Sequence, residues 1–458
     1  MSEAWPQLAP ELHEELGLDL ERYVTAVHRT QVTQESGKVT QVVGPMMLGF
    51  LPGAAVGSTC RVYPGSKRES FLAEVVGFRD RDVILMPLGE MRGVGLGSRL
   101  VLQSSTATIT VGDTLLGRVL DGSGTPLDGR GPIEAEEEIS IYNSAVNPLD
   151  REPIREISDL GVRAINSLVT VGRGQRIGIM AGSGVGKSVL MGMMARSSNA
   201  DVNVIAMIGE RGREVKEFIE EILGPEGLAR SVVVCATSDT SPLVRMRGAF
   251  VATAIAEYFA GRGQHVLLMM DSVTRFAMAQ REVGLAAGEP PASKGYTPSV
   301  FAQLPKLLER AGSFRNGGSI TGLYTVLVEG DDMNDVLGDA VRSIVDGHIV
   351  LDRKLAARGH FPAIDVLPST SRVMRNIVPR EFMDLAKQMR EMIAVYREAE
   401  DLINIGAYRS GSNPKIDEAI RLHSAIEGFL KQDIEDATGI EDCARRMVQI
   451  LNSGRGRA

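Results

Sequence analysis

The sequence has 458 residues, of which 43% are hydrophobic, so we predict a globular protein of two or three domains with a sizeable core. Its 50 basic and 58 acidic residues leave a net charge of -8, which argues against a broad basic surface for nucleic acid. No window approaches about 18 consecutive apolar residues, and the acidic, proline-containing N-terminus is unlike a signal peptide. We therefore expect a cytosolic protein that does not bind nucleic acid.

The three cysteines, Cys60, Cys235 and Cys443, are far apart in the sequence. Their odd number favours reduced thiols over a disulfide or a metal site. Cys235 lies in the apolar run SVVVCAT, which is typical of a buried strand.

Residues 11–27 carry an apolar stripe at helical spacing, with charged residues on the other face. The stripe consists of Leu12, Leu16, Leu20, Val24 and Val27. Two interpretations stay open: a helix that packs on its own domain, or a docking segment for another protein. We treat residues 1–28 as a separate N-terminal, partner-docking segment.

Short β-type runs punctuated by Gly and Pro follow in residues 38–105. They are KVTQVVG, STCRVYPG, FLAEVVGF and RDVILMPLG. This pattern predicts a small β-barrel or sandwich, in a domain that we bound at residues 29–105.

Apolar strands alternate with helical patterns from about residue 165 to residue 352. The strand-like runs are RIGIMAG, NVIAMIGE, SVVVCAT, HVLLMMD, TGLYTVLVE and HIVLD. The alternation predicts an α/β domain, residues 106–380, with a parallel sheet covered on both faces. Two long helical runs at residues 381–405 and 415–437 then predict a helical C-terminal domain over residues 381–458.

The stretch MAGSGVGKSVLMGMMAR, residues 180–196, places a glycine-rich segment with a lysine and a serine between an apolar run and a helix-forming run. Backbone N–H groups at a helix start, next to a lysine, form a cradle for phosphate. The stretch matches the phosphate-loop template G-x-x-x-x-G-K-[ST], except that Ala181 replaces the first glycine. The alternative is a glycine-rich turn before an ordinary helix, which the strand-loop-helix context disfavours. The predicted nucleotide-binding residues are Gly182, Ser183, Gly184, Val185, Gly186, Lys187, Ser188 and Val189.

Two acidic residues end apolar strands that should lie beside this loop. Asp271 ends HVLLMMD; such a residue often caps the next helix, but beside a phosphate loop we favour a ligand for magnesium. Glu210 follows NVIAMIG and is placed to orient or deprotonate a water molecule. The alternative for Glu210 is an acid in the first turn of the next helix, where the dipole favours it. The residues alone leave these two interpretations of Glu210 evenly matched.

Three further residues lie in segments that suit a binding role. Arg372 lies in FPAIDVLPSTSRV, whose prolines and hydroxyl residues suit a rigid loop at a domain edge or interface. An isolated arginine is more often a surface ion pair. Phe361 and Tyr408 are aromatics that are placed either to stack on a base or to pack in a core.

Four stretches of the sequence resemble the catalytic subunits of the rotary and export ATPase superfamily, such as that of the F-type ATP synthase. They are LLGRVLDGSGTPLDGRGPI, GERGREV, LLMMDSVTRFAMAQREVG and PAIDVLPSTSR. The last contains the family signature at Pro362, Asp365, Ser369 and Ser371. The resemblance covers nearly the whole chain from about residue 25. It implies a RecA-like P-loop ATPase core, preceded by a β-barrel and followed by a helical domain.

Three stretches are most similar to the flagellum-specific ATPases of the flagellar protein export apparatus. They are AGSGVGKSVLMGMMAR, EGDDMNDVLGDAVRSIVDGHIVLDRKLAARGHFPAIDVLPS and LINIGAYRSGSNPKID. The ATPases of virulence-type secretion systems share most of this pattern, and we use INIGAYRSGSNPKID to separate the two groups.

The resemblance assigns roles to the predicted phosphate-end residues. It implies that Lys187 contacts the β- and γ-phosphates and that Ser188 and Asp271 bind magnesium. Glu210 matches the general base of the family, and Arg211 matches a neighbouring arginine that senses the phosphate. The cofactors implied are ATP and Mg²⁺.

The resemblance also assigns roles away from the phosphate end. Arg372 matches the arginine finger that reaches the nucleotide of an adjacent subunit. Phe361 aligns with the aromatic that packs on adenine, where ATP synthase has tyrosine, and Tyr408 is a weaker candidate for the other face. Residues 283–300 are expected to form a flexible loop that lines a central pore.

By resemblance we expect a homohexameric ring that hydrolyses ATP to energise flagellar protein export and to release substrates from chaperones. The implied partners are a stator-like regulatory dimer at the N-terminus, a coiled-coil stalk-like protein in the pore, the export gate, chaperones and export substrates. The ring would associate peripherally with the cytoplasmic membrane at the base of the export apparatus. The alternatives are a virulence type III secretion ATPase, a non-catalytic nucleotide-binding subunit, which Glu210 disfavours, and a nucleic-acid motor.

Overall fold

The computed structural model describes residues 35–65, 69–134, 136–315, 317–328 and 335–453. The chain divides into two compact units, one ending at Thr106 and the other beginning at Ala107. The apolar stripe at residues 11–27 lies outside the described residues, so both interpretations of it stay predictions.

The first unit is a closed six-stranded antiparallel barrel. Its strands are β1 (Ser36–Val43), β2 (Met46–Phe50), β3 (Thr59–Tyr63), β4 (Phe71–Arg79), β5 (Asp82–Pro87) and β6 (Arg99–Ser104). They pair in the order β1-β2-β5-β4-β3-β6, and β6 also pairs with β1, which closes the barrel. Alternate side chains fill its interior, among them Met47, Val62 and Leu85, which are fully buried. Of the two predicted alternatives, barrel and sandwich, the barrel is therefore confirmed.

The second unit is built on a mostly parallel sheet. The strands of this unit are β7 (Thr108–Val111), β8 (Val119–Asp121), β9 (Glu137–Ser140), β10 (Arg176–Ala181), β11 (Val202–Ile208), β12 (Ser231–Ala236), β13 (His265–Asp271), β14 (Gly312–Ser313), β15 (Ser319–Leu327), β16 (Gly347–Leu351) and β17 (Ile364–Ser371). Of these, β7 and β9 pair with each other in a separate two-stranded sheet, and β14 pairs with β15. The main sheet has the order β17-β16-β10-β15-β13-β11-β12-β8, in which only the β16–β17 pair of this path is antiparallel. All six strand-like runs of the sequence form strands in it, as predicted.

Helices cover this sheet and continue beyond it. They are α1 (Arg163–Leu168), α2 (Lys187–Ser197), α3 (Gly212–Glu217), α4 (Gly224–Ala229), α5 (Pro242–Gly261), α6 (Val273–Ala287), α7 (Pro298–Leu308), α8 (Val336–Ile344), α9 (Arg353–Ala357), α10 (Met374–Ile377), α11 (Arg380–Asn404), α12 (Pro414–Leu430) and α13 (Ile440–Ser453). The predicted architecture of barrel, P-loop ATPase core and helical C-terminal region is confirmed. No helix in the described ranges has the length and apolar character needed to cross a membrane.

The C-terminal helices share one hydrophobic core with the sheet. Phe382 and Met389 of α11, Leu422 of α12 and Cys443 of α13 belong to the same buried cluster as Leu168 of α1. The three cysteines are free and buried, as expected for reduced thiols, and Cys235 lies in β12.

Two sequence predictions differ from the structure. The helical run predicted to reach residue 437 ends at Leu430, because the next residues bond to other elements. The side chain of Gln432 donates to the carbonyl of Gly161, and Arg163 donates to Asp436. The loop predicted at residues 283–300 is shorter, since α6 continues to Ala287 and α7 begins at Pro298.

Candidate active site

The phosphate loop joins β10 to α2. The strand ends at Ala181 and the helix begins at Lys187, as the sequence predicts. Gly184 and Gly186 adopt positive φ angles of 78° and 88°, in the left-handed region that favours glycine. The loop therefore turns sharply and presents backbone N–H groups at the start of α2, where the helix dipole favours an anion.

A cavity of about 720 Å³ opens at this loop, within the usual size range of ligand sites. Seven of the eight predicted nucleotide-binding residues line it; they are Gly182, Ser183, Gly184, Gly186, Lys187, Ser188 and Val189. The eighth, Val185, is only 2% exposed and belongs to the core below the loop.

The structure brings the predicted charged residues together at the carboxyl ends of neighbouring strands. Lys187 Nζ lies 2.5 Å from Asp271 Oδ1 and 3.8 Å from Glu210 Oε1. Thr325, near the end of β15, donates a hydrogen bond of 2.9 Å to the same oxygen of Asp271. Ser188 and Asp271 supply hard oxygen donors, the type that Mg²⁺ prefers beside substrate phosphates. These residues fit a magnesium site.

The Glu210 carboxyl, which lines the cavity, has a raised pKa. Burial raises the pKa of its carboxyl to about 7, and the negative charge of Asp271 adds to the shift, while Lys187 opposes it. A base is most effective when its pKa lies near the working pH. A perturbed carboxyl in a polar cavity is also a typical feature of functional sites.

Three arginines line the cavity, of which the sequence analysis identified one. Arg211 is largely exposed and pairs with Glu214 at 2.9 Å. Arg275 packs its side chain against Gly209, and its buried Nε has no hydrogen-bond partner within the described residues. Arg353 begins α9 at the same cavity.

The signals for the two missed arginines differ. Arg275 follows the strand-end Asp271 by four residues, so its place in the first turn of α6 could have been found from the sequence. Arg353 reaches the cavity only because β16 lies beside β10, which the sequence order of the strands does not reveal.

The structure brings one of the two predicted adenine aromatics to the loop. Phe361 is 47% exposed, and a Cβ atom added to Gly186 would lie 3.6 Å from its ring. Phe361 is not itself among the residues that line the cavity, and neither is Tyr408. The Tyr408 hydroxyl contacts the carbonyl of Asn413 and Oδ1 of Asp417, each at 3.0 Å, in the turn before α12.

Arg372 lies at the opposite edge of the sheet from the phosphate loop. The strand register places Ser371 beside Gly347 and His348 beside Gly178, so Arg372 is level with the start of β10. The loop begins six residues further along β10, which is about 20 Å at the usual strand rise. The exposed Arg372 side chain is therefore not brought to the cavity of its own chain.

Two family models match most of the second unit. The nucleotide-binding domain of the ATP synthase alpha/beta family matches residues 161–371. The C-terminal domain of the type III secretion ATPase EscN matches residues 378–449.

Relatives and solved structures agree with both matches. The flagellum-specific ATP synthase of Bacillus subtilis is 52% identical over 94% of this chain and 98% of its own length. The type 3 secretion system ATPase of Xanthomonas euvesicatoria is 49% identical over 92% of this chain and 95% of its own.

The backbone is also similar to that of assembled EscN from the type III secretion system of enteropathogenic E. coli. That structure has a TM-score of 0.85 at 46% identity and covers 91% of this chain and 100% of its own. A second structure, EscN in complex with its central stalk EscO, gives 0.84 at 45% identity with the same coverage. The chain belongs to the family of flagellum-specific ATP synthases and type III secretion ATPases, and it is an ATPase.

Proposed function

We propose that the chain hydrolyses ATP with Mg²⁺ as a homohexameric ring, and that this hydrolysis energises flagellar protein export. The observation that carries the proposal is the separation of two groups of residues on one sheet. Lys187, Glu210 and Asp271 converge at the carboxyl edge. Arg372 lies exposed at the amino edge, where its Nη2 donates a hydrogen bond of 3.3 Å to the carbonyl of Arg342, a bond that a neighbouring copy would have to replace.

Glu210 orients the attacking water and accepts its proton. Its carboxylate lies 3.8 Å from the Lys187 ammonium, so a water held by Glu210 lies next to the phosphate that Lys187 binds. Lys187 and Arg211 neutralise the charge that develops as water attacks the γ-phosphate. Ser188 and Asp271 would hold Mg²⁺, which supplies further charge neutralisation at the phosphates when it is bound.

Aromatic side chains would hold the base of the nucleotide. Phe361 is exposed beside the phosphate loop and offers one ring face. Tyr408 stays the weaker candidate for the other face of adenine, because it bonds within the turn before α12 and does not line the cavity.

Each site would be completed by the arginine finger Arg372 of the adjacent subunit. The assembled state of EscN supports a ring for this chain too. The complex of EscN with its central stalk supports a coiled-coil stalk partner in the pore, at the loop between Ala287 and Pro298. Residues 1–25 are proposed to dock a stator-like regulatory dimer.

In the cell, the ring would act in the cytoplasm, peripherally associated with the membrane at the base of the export apparatus. There it would deliver substrates to the export gate and help release them from chaperones.

The 52% identity to a flagellum-specific ATP synthase supports the flagellar system. The 49% identity to a type 3 secretion system ATPase keeps a virulence system as the second candidate. Complementation distinguishes the two systems. We expect this chain to restore motility in a strain that lacks its flagellar ATPase. We expect it not to restore secretion in a strain that lacks its virulence secretion ATPase.

Mixed rings test the shared site directly. Arg372→Ala lacks the finger and Lys187→Ala lacks a competent phosphate loop, so each variant alone is expected to be nearly inactive. In rings assembled from both, a Lys187→Ala subunit lends its finger to an intact loop, and single-turnover hydrolysis should return. Activity in dilute, monomeric Arg372→Ala comparable to that of the unmodified chain would rule out the shared site.

The proposed docking segment has its own test. Deletion of residues 1–25 should abolish the complex with the regulatory dimer and leave intrinsic hydrolysis within about twofold of the full chain. An insoluble truncated chain would instead assign the segment to the core of the protein.

A further inference from the structure

The segment that ends in Arg372 is held by the residue that precedes β10. The Arg372 backbone N–H donates to the carbonyl of Asp346 at 2.9 Å. Gln175 is fully buried, and its Nε2 donates both to Ser371 Oγ at 3.0 Å and to the Asp346 carbonyl at 3.2 Å. Its Oε1 accepts from the Gly172 N–H at 2.8 Å. The Gln175 amide therefore joins the entrance of β10 to the finger segment.

The first residue of β10 fixes Asp346 itself. Arg176 donates Nε and Nη2 to the two carboxylate oxygens of Asp346, each at 3.0 Å. The backbone N–H of Asp346 donates in turn to the Arg176 carbonyl at 2.9 Å. A paired charge of this geometry is directional, so the carbonyl of Asp346 is held in one position. That carbonyl is the acceptor for the Arg372 N–H.

We infer that Gln175 and Asp346 are positioning residues for Arg372, and that β10 couples the phosphate loop of one subunit to the finger it offers to the next. The inference rests on the proposed role of Arg372 at a neighbouring site. The strand has six residues, five of them buried, and it enters the phosphate loop at Ala181. One short, packed element therefore has the nucleotide at one end and the support of the finger at the other.

Replacement of the amide tests the positioning. Gln175→Met removes the amide that bonds Ser371, the Asp346 carbonyl and the Gly172 N–H, and it keeps the length of the side chain. We expect kcat to fall about 10- to 100-fold, the cost of a slightly misplaced catalytic group, with nucleotide binding and KM within about twofold. The matched control is Gln264→Met, which also lies just before a strand of the sheet. Its Oε1 has no hydrogen-bond partner in the described part of the chain, and its activity should stay unchanged.

Mixed rings distinguish this role from damage to the subunit's own cavity. With Lys187→Ala, which carries an intact finger, Gln175→Met should regain activity in single-turnover hydrolysis. Mixed rings of Gln175→Met and Arg372→Ala should stay inactive, because neither subunit offers a correctly positioned Arg372. A defect in the cavity of Gln175→Met would give the reverse pattern, and that result would overturn the inference.

The proposed shared site can fail separately. If mixed rings of Arg372→Ala and Lys187→Ala show no activity although mixed assembly is verified, the role of Arg372 at a neighbouring site is wrong. If that mixture is active and the Gln175 pattern is absent, only the positioning inference is wrong.

Should Gln175→Met not fold, Ser371→Ala removes one partner of the amide at a partly exposed position. Ser371→Thr keeps the hydroxyl and should restore kcat.

Discussion

The two edges of the central sheet position charge in different ways. At the carboxyl edge, Lys187, Glu210 and Asp271 are largely buried and contact one another, so each sets the electrostatic environment of the next. At the amino edge, Arg372 is exposed and its segment is held through a neutral amide and backbone carbonyls. A site that binds a ligand within one chain is organised by burial. A group that acts on another molecule must stay exposed, so it is positioned through contacts to the chain segment that carries it.

The largest expected effect comes from the amino edge. Arg372→Ala should lower steady-state hydrolysis by about 10³- to 10⁵-fold, the usual worth of an arginine finger, while nucleotide binding measured by fluorescence titration stays near that of the unmodified chain. Arg375→Ala, an exposed arginine three residues away, is the control and should keep full activity. Equal losses in the two variants would remove the special role of Arg372.

The next effect comes from the carboxyl edge. Glu210→Gln keeps the shape of the side chain but cannot accept a proton, so turnover should fall about 10²- to 10⁴-fold with ATP binding retained. Glu220→Gln, on an exposed carboxylate paired with Lys216, should have no such effect. Turnover of Glu210→Gln within a few-fold of the unmodified chain would return Glu210 to a structural role.

The pH dependence should separate the two edges. The pKa of Glu210 is raised to about 7, so the carboxylate form dominates above that pH and is lost as the pH falls through it. We expect kcat/KM to drop about tenfold per pH unit below pH 7, hence about 100-fold by pH 5. Gln175→Met should keep this acid limb, whereas Glu210→Gln should lack it. An unchanged acid limb in Glu210→Gln would assign the titration to another group.

The smallest effect concerns the support of Asp271. Thr325→Val removes the hydroxyl that donates to Asp271 Oδ1 but keeps a similar volume. Outer partners of metal ligands typically matter about tenfold, so hydrolysis should require about tenfold more Mg²⁺ for half-maximal activity. Thr325→Ser keeps the hydroxyl and should behave as the unmodified chain does. An identical Mg²⁺ requirement in Thr325→Val would show that Asp271 needs no such support.

Most of the carboxyl edge could be predicted from the sequence, for a simple physical reason. Buried parallel strands are continuous apolar runs, and their carboxyl ends meet at one edge of the sheet. A polar residue at the end of such a run or just beyond it, as at Asp271 and Glu210, is therefore placed at that edge without knowledge of the strand order.

The amino edge could not be predicted in the same way. The position of Arg372 depends on the antiparallel return of β17 along β16, and the role of Gln175 depends on a contact between residues 196 positions apart. The end of α12 at Leu430 has a similar cause, because Gln432 and Asp436 bond to residues near α1 instead of continuing the helix. Local pattern carries no information on such long-range partners.

The buried thiols make this protein convenient to label. Burial raises the pKa of Cys60, Cys235 and Cys443 to about 12. The thiolate is the reactive form, so maleimide reagents should leave these three residues unmodified in the folded chain at neutral pH. One cysteine introduced at the same exposed position in Arg372→Ala and in Lys187→Ala can then carry a donor dye on the first variant and an acceptor dye on the second. Energy transfer between the two dyes would report directly how many rings contain both kinds of subunit.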